Sequence, residues 1–535
     1  MGIKKYKANA DNTIVNAFKP NLRTRGTGAN CGEADVLEIY SIYGRQFGSG
    51  SQGEASVRSS ELSRILVNFP ITDIVNDRSS GRIPASGSVS FYLRLFNAAT
   101  SKTVPKNYKL VVLPISQSWQ EGDGLDLETY KDQTKGGIGS NWINASSGTT
   151  WKSLGEPGVS AYSTVGGAYM TGSMSDGAGV PSYTQAFSTG LEDLKIDISD
   201  LVEKWVAEDI PRYGVGVHLS AAYEAYFSSS LGEGVFSGNI LDNRDGATKS
   251  YYTKRFFARG SQYFFKRPVL EAHWNSVKRD DRGDFYYSSS LAPALDNLNT
   301  LYLYNYVRGR LVNIPAVGTG NIDVSLYSGS SAPTGSKLVL YDGETSITGG
   351  HVSTGIYSAS IAITSAVKPL ATLFDVWHSS SDGTVTEYFT SSAKPKTLLG
   401  SINTREPVYY LNITNMRDLY RSDETARFNL YVRERNWKPT IYTVASSEIQ
   451  TLSIPSASYR VYRPLDGFEA IPYETGSKFA TGLSYDVSGN YFDFDMRLLD
   501  PGYAYAFKFA FYDPELKTWS EQKETFRFRV ESYEY

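Results

Sequence analysis

Cysteine is almost missing from this chain of 535 residues: Cys31 is the only one. No intrachain disulfide can form, so disulfide-stapled scaffolds are excluded and assembly in a reducing compartment is expected. Histidine is scarce too. His218, His273, His351 and His378 lie far apart, with no HxH or HExxH spacing, so no zinc signature is present. No run of about 18 apolar residues occurs, which leaves no candidate span and no expected membrane insertion. The opening MGIKKYKANADN has no apolar core and no Ser/Thr at the myristoylation position, so neither a signal peptide nor that lipid is expected. Charge of one sign is lacking as well. Lys+Arg number 53 against 56 Asp+Glu, which argues against a nucleic-acid partner and against an acidic tail.

Tyrosine and glycine are plentiful. The 39 Tyr and 48 Gly, with many β-branched residues, favour strands and turns over helices. Runs such as VLEIYSIY (36–43), ELSRILVNFP (61–70), SVSFYLRLFNA (88–98), YKLVVLPIS (108–116), YGVGVHLS (213–220) and RPVLEAHW (267–274) alternate or are β-rich, between Gly, Ser, Asn and Pro clusters. This pattern predicts an all-β fold of short strands in sandwiches or barrels. In SVSFYLRLF, Val89, Phe91, Leu93 and Leu95 share one face, and Tyr92, Arg94 and Phe96 the other. One helix is expected in DISDLVEKWVAEDIP (197–211). Asp200 is the candidate N-cap, Pro211 the stop, and Leu201, Val202 and Trp205 the buried stripe.

Composition shifts divide the chain. A first domain is expected over 1–275. A polar, Pro-containing linker or inter-domain strap follows at 276–299, then β-sandwiches over 300–398 and 399–535. Two low-complexity stretches, 44–60 and 133–190, read as long loops, and loops of that length often face a partner.

Several motifs could carry chemistry. SWQEGDGLDLE (118–128) places Glu121, Asp123, Asp126 and Glu128 around two glycines. Their spacing is not that of an EF-hand, but a looser calcium site is open to them. A glycosidase pair would need two of these acids across a cleft. The bland reading, a structural turn with solvated acids, is preferred. Trp142, Trp151, Tyr162 and Tyr169 in the long loop are candidates for a protein interface or for stacking on a sugar, and burial against the sandwich or subunit contact is the preferred reading. KRFFARGSQYFFKR (254–267) mixes five basic residues with aromatics, as single-strand binders do, and reads more simply as a strand pair with basic ends. RTRGTGANCG (23–32) is glycine-rich but lacks the P-loop Lys-Ser/Thr. No nucleophile–base pair emerges, so no catalytic residue, no cofactor and no enzyme are expected; calcium is the one ion held open.

A family resemblance spans about the first half. The ordered set ADNTIVNAFKPNLRTRGTG (10–28), ELSRILVNFPITDI (61–74), IPASGSVSFYLRLF (83–96), SWQEGDGLD with NWINASSGTTW (141–151), IDISDLVEKWVAEDIPRYGVGVHL (196–219) and KRPVLEAHW (266–274) resembles DNRLRE-type jelly-roll domains. That group includes disaggregatase-related and carbohydrate-binding modules. The helix segment is the most specific part. The resemblance implies an N-terminal jelly-roll sandwich with one short helix; the later strand runs, TGIYSASIAITSA (354–366) among them, read as two immunoglobulin-like β-sandwich domains after it. The chain as a whole resembles virion structural proteins of large tailed bacteriophages. That resemblance implies a virion protein made in a host cytoplasm, in the tail or neck–collar, with other virion proteins and copies of itself as partners. Capsid decoration is a close alternative. A host-adhesion protein that binds surface glycan is the rival from another class.

Overall fold

The computed structural model describes residues 2–19, 25–46, 57–101, 103–125, 138–152, 165–172, 179–227, 241–288, 293–363, 370–379, 385–396, 408–435, 441, 444 and 451–533. The protein is mostly β, with several antiparallel sheets. It divides into two compact units, Ile3–Trp274 and Asn275–Tyr535.

The first unit contains β1 (Ile3–Lys7), β2 (Ala10–Val15), β3 (Val36–Gln46), β4 (Val57–Asn68), α1 (Ile71–Ser79), β5 (Ser90–Leu95), β6 (Tyr108–Pro114), β7 (Asn144–Ser146) and β8 (Thr149–Thr150). It continues with β9 (Tyr183–Phe187), β10 (Leu194–Asp197), α2 (Ser199–Ala207), β11 (Val215–Leu219), β12 (Tyr251–Phe257) and β13 (Val269–His273). One sheet has the order β1-β13-β5-β10. A second runs β12-β3-β4-β11-β6-β9, with β2 also on β4. One hydrophobic core takes residues from both sheets, including Phe91, Leu93 and Leu95 of β5 and Ile65 and Val67 of β4. Side chains alternate along a strand, so Leu62, Arg64 and Leu66 of β4 point the opposite way. Leu62 and Leu66 belong to a separate apolar cluster.

The unit has two α-helices among the described residues, where the sequence reading expected one. The extra one, α1, follows directly on the apolar run of β4. Pro70 starts it, Asp73 lies in its first turn, Arg78 in its last, and Ile71 and Ile74 are buried. Its buried Asp77 accepts from Tyr6 Oη at 2.8 Å and pairs with Lys4. The expected helix is α2. Leu201, Val202 and Trp205 are its buried residues. The cap differs from expectation: Ile198 is the N-cap and Asp200 sits inside the first turn. The helix stops at Glu208, whose φ of 66° is left-handed, and Arg212 Nε donates to Trp205 O at 2.7 Å.

The second unit holds a six-stranded sheet in the order Asn299–Tyr304, Ile356–Ile361, Ile347–Ser353, Ile322–Ser328, Leu373–His378, Glu387–Ala393. Toward the C-terminus lies a four-stranded sheet, Tyr409–Ile413, Thr425–Glu434, Gly489–Asp495, Ser484–Asp486. A further sheet is centred on Ala504–Asp513 and Ala457–Arg463. Aromatic rings fill the space between these last two sheets. Tyr459 stacks on Phe492 at 4.6 Å, and Phe507 on Phe528 at 4.7 Å.

The described residues of 276–299, expected as a linker or inter-domain strap, are packed into this unit as a strap. Asp280 N donates to Tyr485 O at 3.0 Å, Tyr485 N to Lys278 O at 3.0 Å, and Lys278 N to Ser484 Oγ at 2.9 Å. The strap therefore extends the edge of the four-stranded sheet. A few residues later it joins the six-stranded sheet. Asp281 accepts from Thr300 N at 2.6 Å, Lys396 N donates to Phe285 O at 2.7 Å, and Phe285 is fully buried in that core. Arg282 is the fastening. Its guanidinium donates to Asp280 at 2.8 Å, Asp375 at 2.7 Å and Tyr302 O at 3.0 Å, and all three charges are buried. Arg282→Ala leaves two buried carboxylates without their cation. Chemical denaturation is expected to show a loss of about 3–5 kcal/mol, and a loss under 1 kcal/mol would mean the strap is not fastened there.

Candidate functional site

The two glycine-rich stretches, 23–32 and 118–128, meet in the first unit around one side chain. Asn30 Nδ2 donates to Glu121 O at 2.6 Å and Ser140 O at 2.7 Å. Asn30 Oδ1 accepts from Gly32 N and Gly124 N, each at 3.0 Å. An amide has two donors and one acceptor oxygen with two lone pairs, so all its capacity is used. The glycines are there for room. A Cβ on Gly124 would lie 1.7 Å from Asn30 O, and one on Gly122 or Gly139 would lie 2.5 Å from Asn30 Nδ2. Asn12 closes the knot, donating to Ser140 O and Oγ at 2.8 and 2.9 Å and accepting from Cys31 N at 2.8 Å.

The acids of this loop face inward or lie outside the described residues. Glu121 takes a bidentate pair from Arg259, Nε at 3.0 Å and Nη2 at 2.8 Å, and also accepts from Asp11 N at 2.8 Å. Asp11 Oδ2 accepts from Arg259 N at 2.6 Å. Asp11 is fully buried. Burial pushes its carboxyl up to about 7, the Arg259 N–H works against that, and the Glu121 charge adds to it. Asp126 and Glu128 lie outside the described residues. Among the described residues no three His, Cys, Asp or Glu side chains gather as a metal site, so Glu121 and Asp123 make no such group there.

Three of the long loop's named aromatics are turned away from solvent. Trp142, Trp151 and Tyr169 are 0%, 1% and 0% exposed, so they take the buried place and not the glycan-stacking one. They pack with Ile14, Leu62, Leu66, Leu113 and Ile115 on the second face of the larger sheet. The physical reason is that this face is apolar and requires a cover. Trp151 Nε1 donates to Asn141 O at 2.9 Å and Tyr169 Oη to Gly166 O at 2.8 Å, so their polar tips are satisfied. Gly216 makes the fit possible, because a Cβ there would lie 2.1 Å from Tyr169 Cε1. Tyr162 lies outside the described residues.

Between cover and sheet lies a buried ionic group that the sequence reading missed. Arg64 Nε and Nη2 donate to Glu224 at 3.0 and 2.9 Å, and Nη1 donates to Gly166 O at 3.1 Å. The Arg64 guanidinium lies 5.7 Å from the ring centres of both Trp142 and Tyr169. His218 Nδ1 is 2.7 Å from Leu219 O and 3.7 Å from Glu224. Burial, then the Arg64 charge, pulls the His218 imidazolium down to about 3, so the ring is neutral near pH 7. Burial raises the Glu224 carboxyl, and Arg64 opposes that rise. The bidentate geometry keeps this pair ionised. An arginine amid the apolar run SRILVNF was the available signal, since an unpaired charge there would be prohibitive.

The basic stretch 254–267 is likewise engaged. Lys254 Nζ donates to Asn97 Oδ1, Gly190 O and Glu192 O at 2.6, 3.0 and 2.8 Å. Arg255 pairs with Glu38, Arg259 with Glu121, and Arg267 Nε donates to Ser261 O at 2.8 Å. Among the remaining histidines, His378 Nε2 is 2.8 Å from Ser325 Oγ and His273 Nε2 is 3.3 Å from Glu271.

No family model matches the chain, and no curated protein does. Among solved structures, an Escherichia coli alpha-2-macroglobulin is similar at 7% identity and a TM-score of 0.14, covering 91% of this chain and 23% of that one. The chain thus spans under a quarter of that protein. A DUF4785 family protein from Legionella pneumophila is similar at 9% identity and a TM-score of 0.13, covering 98% and 91%. Likenesses this slight carry no argument.

Two outcomes follow from the covered face. Gly216→Ala forces the Tyr169 ring off the sheet and is expected to lose about 1–3 kcal/mol in denaturant titration. His218 has a folded value below its unfolded one, so the folded state binds fewer protons between about pH 3 and 6.5. Its share of stability is full above pH 6.5 and falls as pH drops through that window, on the order of 5 kcal/mol in all. Asp11 acts oppositely, losing its share as pH rises from about 4 to 7. The difference between wild type and His218→Gln isolates the histidine, and identical acid profiles for the two would contradict its buried neutral state.

Proposed function

We propose that this chain is a non-enzymatic structural protein of a tailed-bacteriophage particle, in its tail or neck–collar. In this reading Ile3–Trp274 is a jelly roll, and Asn275–Tyr535 a pair of immunoglobulin-like sandwiches. The observation that carries the reading is the inward engagement of the chemically able groups. Glu121 and Arg259 face each other, as do Arg64 and Glu224. Trp142, Trp151 and Tyr169 seal a sheet. A catalyst or a sugar binder needs such groups aimed into a cleft or onto a platform. A particle component needs a shape that holds. The strap supports the same reading, because it binds both sheet systems of the second unit into one body.

Partners in such a particle are other virion proteins and further copies of the chain, met by surface complementarity. Quantitative mass spectrometry of purified particles tests this. A low multiple of five, six or twelve copies is expected for a tail or neck–collar place. Hundreds of copies would shift the assignment to capsid decoration. Absence from the particle overturns the proposal and favours a glycan-binding adhesin.

A further inference from the structure

In the β1-β13-β5-β10 sheet the face turned away from the core carries like charges side by side, with Val269 and Glu271 buried in its middle, Lys5, Lys7 and Arg94 half-buried, and Lys195 exposed at its edge. One cross-strand row reads Lys7, Val269, Arg94, Lys195, from β1 through β13 and β5 to β10. The next row reads Lys5, Glu271, Tyr92, Asp197. Directly opposite residues have Cβ atoms about 4.5–5.5 Å apart, so Arg94 and Lys195 repel, which disfavours the pairing they sit in. A fold selected for stability alone would place an acid at one of those positions.

The cations are also held in place. Lys195 Nζ lies 5.2 Å from the centre of the Tyr92 ring, and the Arg94 guanidinium lies 5.0 Å from that of Phe96. Lys7 lies over Phe264. Glu271, 4% exposed, anchors the middle, with Lys5 Nζ and Arg94 Nη1 each at 3.4 Å and His273 Nε2 at 3.3 Å. Burial raises the Glu271 carboxyl, yet Lys5, His273 and Arg94 together hold it well below the usual range, so it stays charged. Asp197 is turned to α2, accepting from Ser199 N at 3.0 Å and from Ser199 Oγ at 2.5 Å. Lys195 is exposed.

We propose that this face docks an acidic polypeptide segment, whose carboxylates lie between Arg94 and Lys195 and reach toward Lys5 and Lys7. The dimensions suit it. Four strands at about 4.8 Å span about 14 Å, and alternate residues of an extended chain are about 6.6 Å apart, so two or three acidic side chains match the row. A single-stranded nucleic acid needs open rings for stacking, and Tyr92 and Phe96 are half-buried under the cations. The inference stands apart from the particle reading, since copy number does not bear on it.

The test uses the full chain and a fluorescein-labelled octa-glutamate peptide, read by anisotropy at low salt. A thymidine oligonucleotide and anionic phosphatidylglycerol vesicles run in parallel. Lys195→Glu puts a carboxylate opposite Arg94. It is expected to keep or raise the thermal midpoint while weakening peptide binding about tenfold or more. Lys109→Glu, exposed on β6 of the other sheet, makes the same change in net charge and is expected to leave binding within about twofold. Should Lys195→Glu fold poorly, Lys195→Gln reads out the same loss. The proposal is overturned by no binding of the peptide, by equal losses in the Lys195 and Lys109 variants, or by tighter binding of the oligonucleotide or vesicles than of the peptide.

Discussion

A β-sheet that is apolar on both faces cannot leave either one in water. The larger sheet of the first unit is built that way. Ile65 and Val67 enter the core between the sheets, while Leu62 and Leu66 of the same strand face the opposite side. Burying a side chain of this size is worth about 1.5–3 kcal/mol, so a second cover is strongly favoured. The segment carrying Trp142, Trp151 and Tyr169 supplies it. Gly216 is bare so that a ring can lie on the strand, and Arg64 needs Glu224 because the cover removes both from water.

The polar knot solves a related problem by other means. There the chain turns several times in a small volume and has little apolar surface to bury. Asn30 and Asn12 act as internal solvent for backbone groups that water cannot reach. Side-chain amides suit this work, since each supplies donors and acceptors without a charge. Charges are added only where they meet in a bidentate pair, Glu121 with Arg259.

Much of the strand content was legible because alternation is a local property. Val89, Phe91, Leu93 and Leu95 are buried as their spacing implies, and so is the stripe Leu201, Val202, Trp205. The helix Ile71–Ser79 was not legible, because ILVNFPITDIV reads as extended chain and only Pro70 marks the change. The burial of the strap was hidden for a different reason. KRDDRGD looks like a solvated linker, and its burial depends on Asp375, 93 positions away from Arg282. For the tryptophans burial was the preferred reading, although composition alone cannot tell a surface platform from a lid. The informative signal lay elsewhere, in the second set of apolar residues on β4 and β6.

The strap also orders events in time. It is synthesised before either sheet system that it joins, yet Tyr485, whose hydroxyl donates to Asp281 at 2.7 Å, lies 204 positions further on. Closing a loop of that length is entropically slow relative to forming local hairpins. On the ribosome the six-stranded sheet emerges first and takes hold of Arg282 through Asp375. The half of the strap that pairs with Ser484 and Tyr485 gains its partners only once residues 204 positions further on have been made. The edge of the four-stranded sheet is thus completed by a segment of chain made long before the sheet itself.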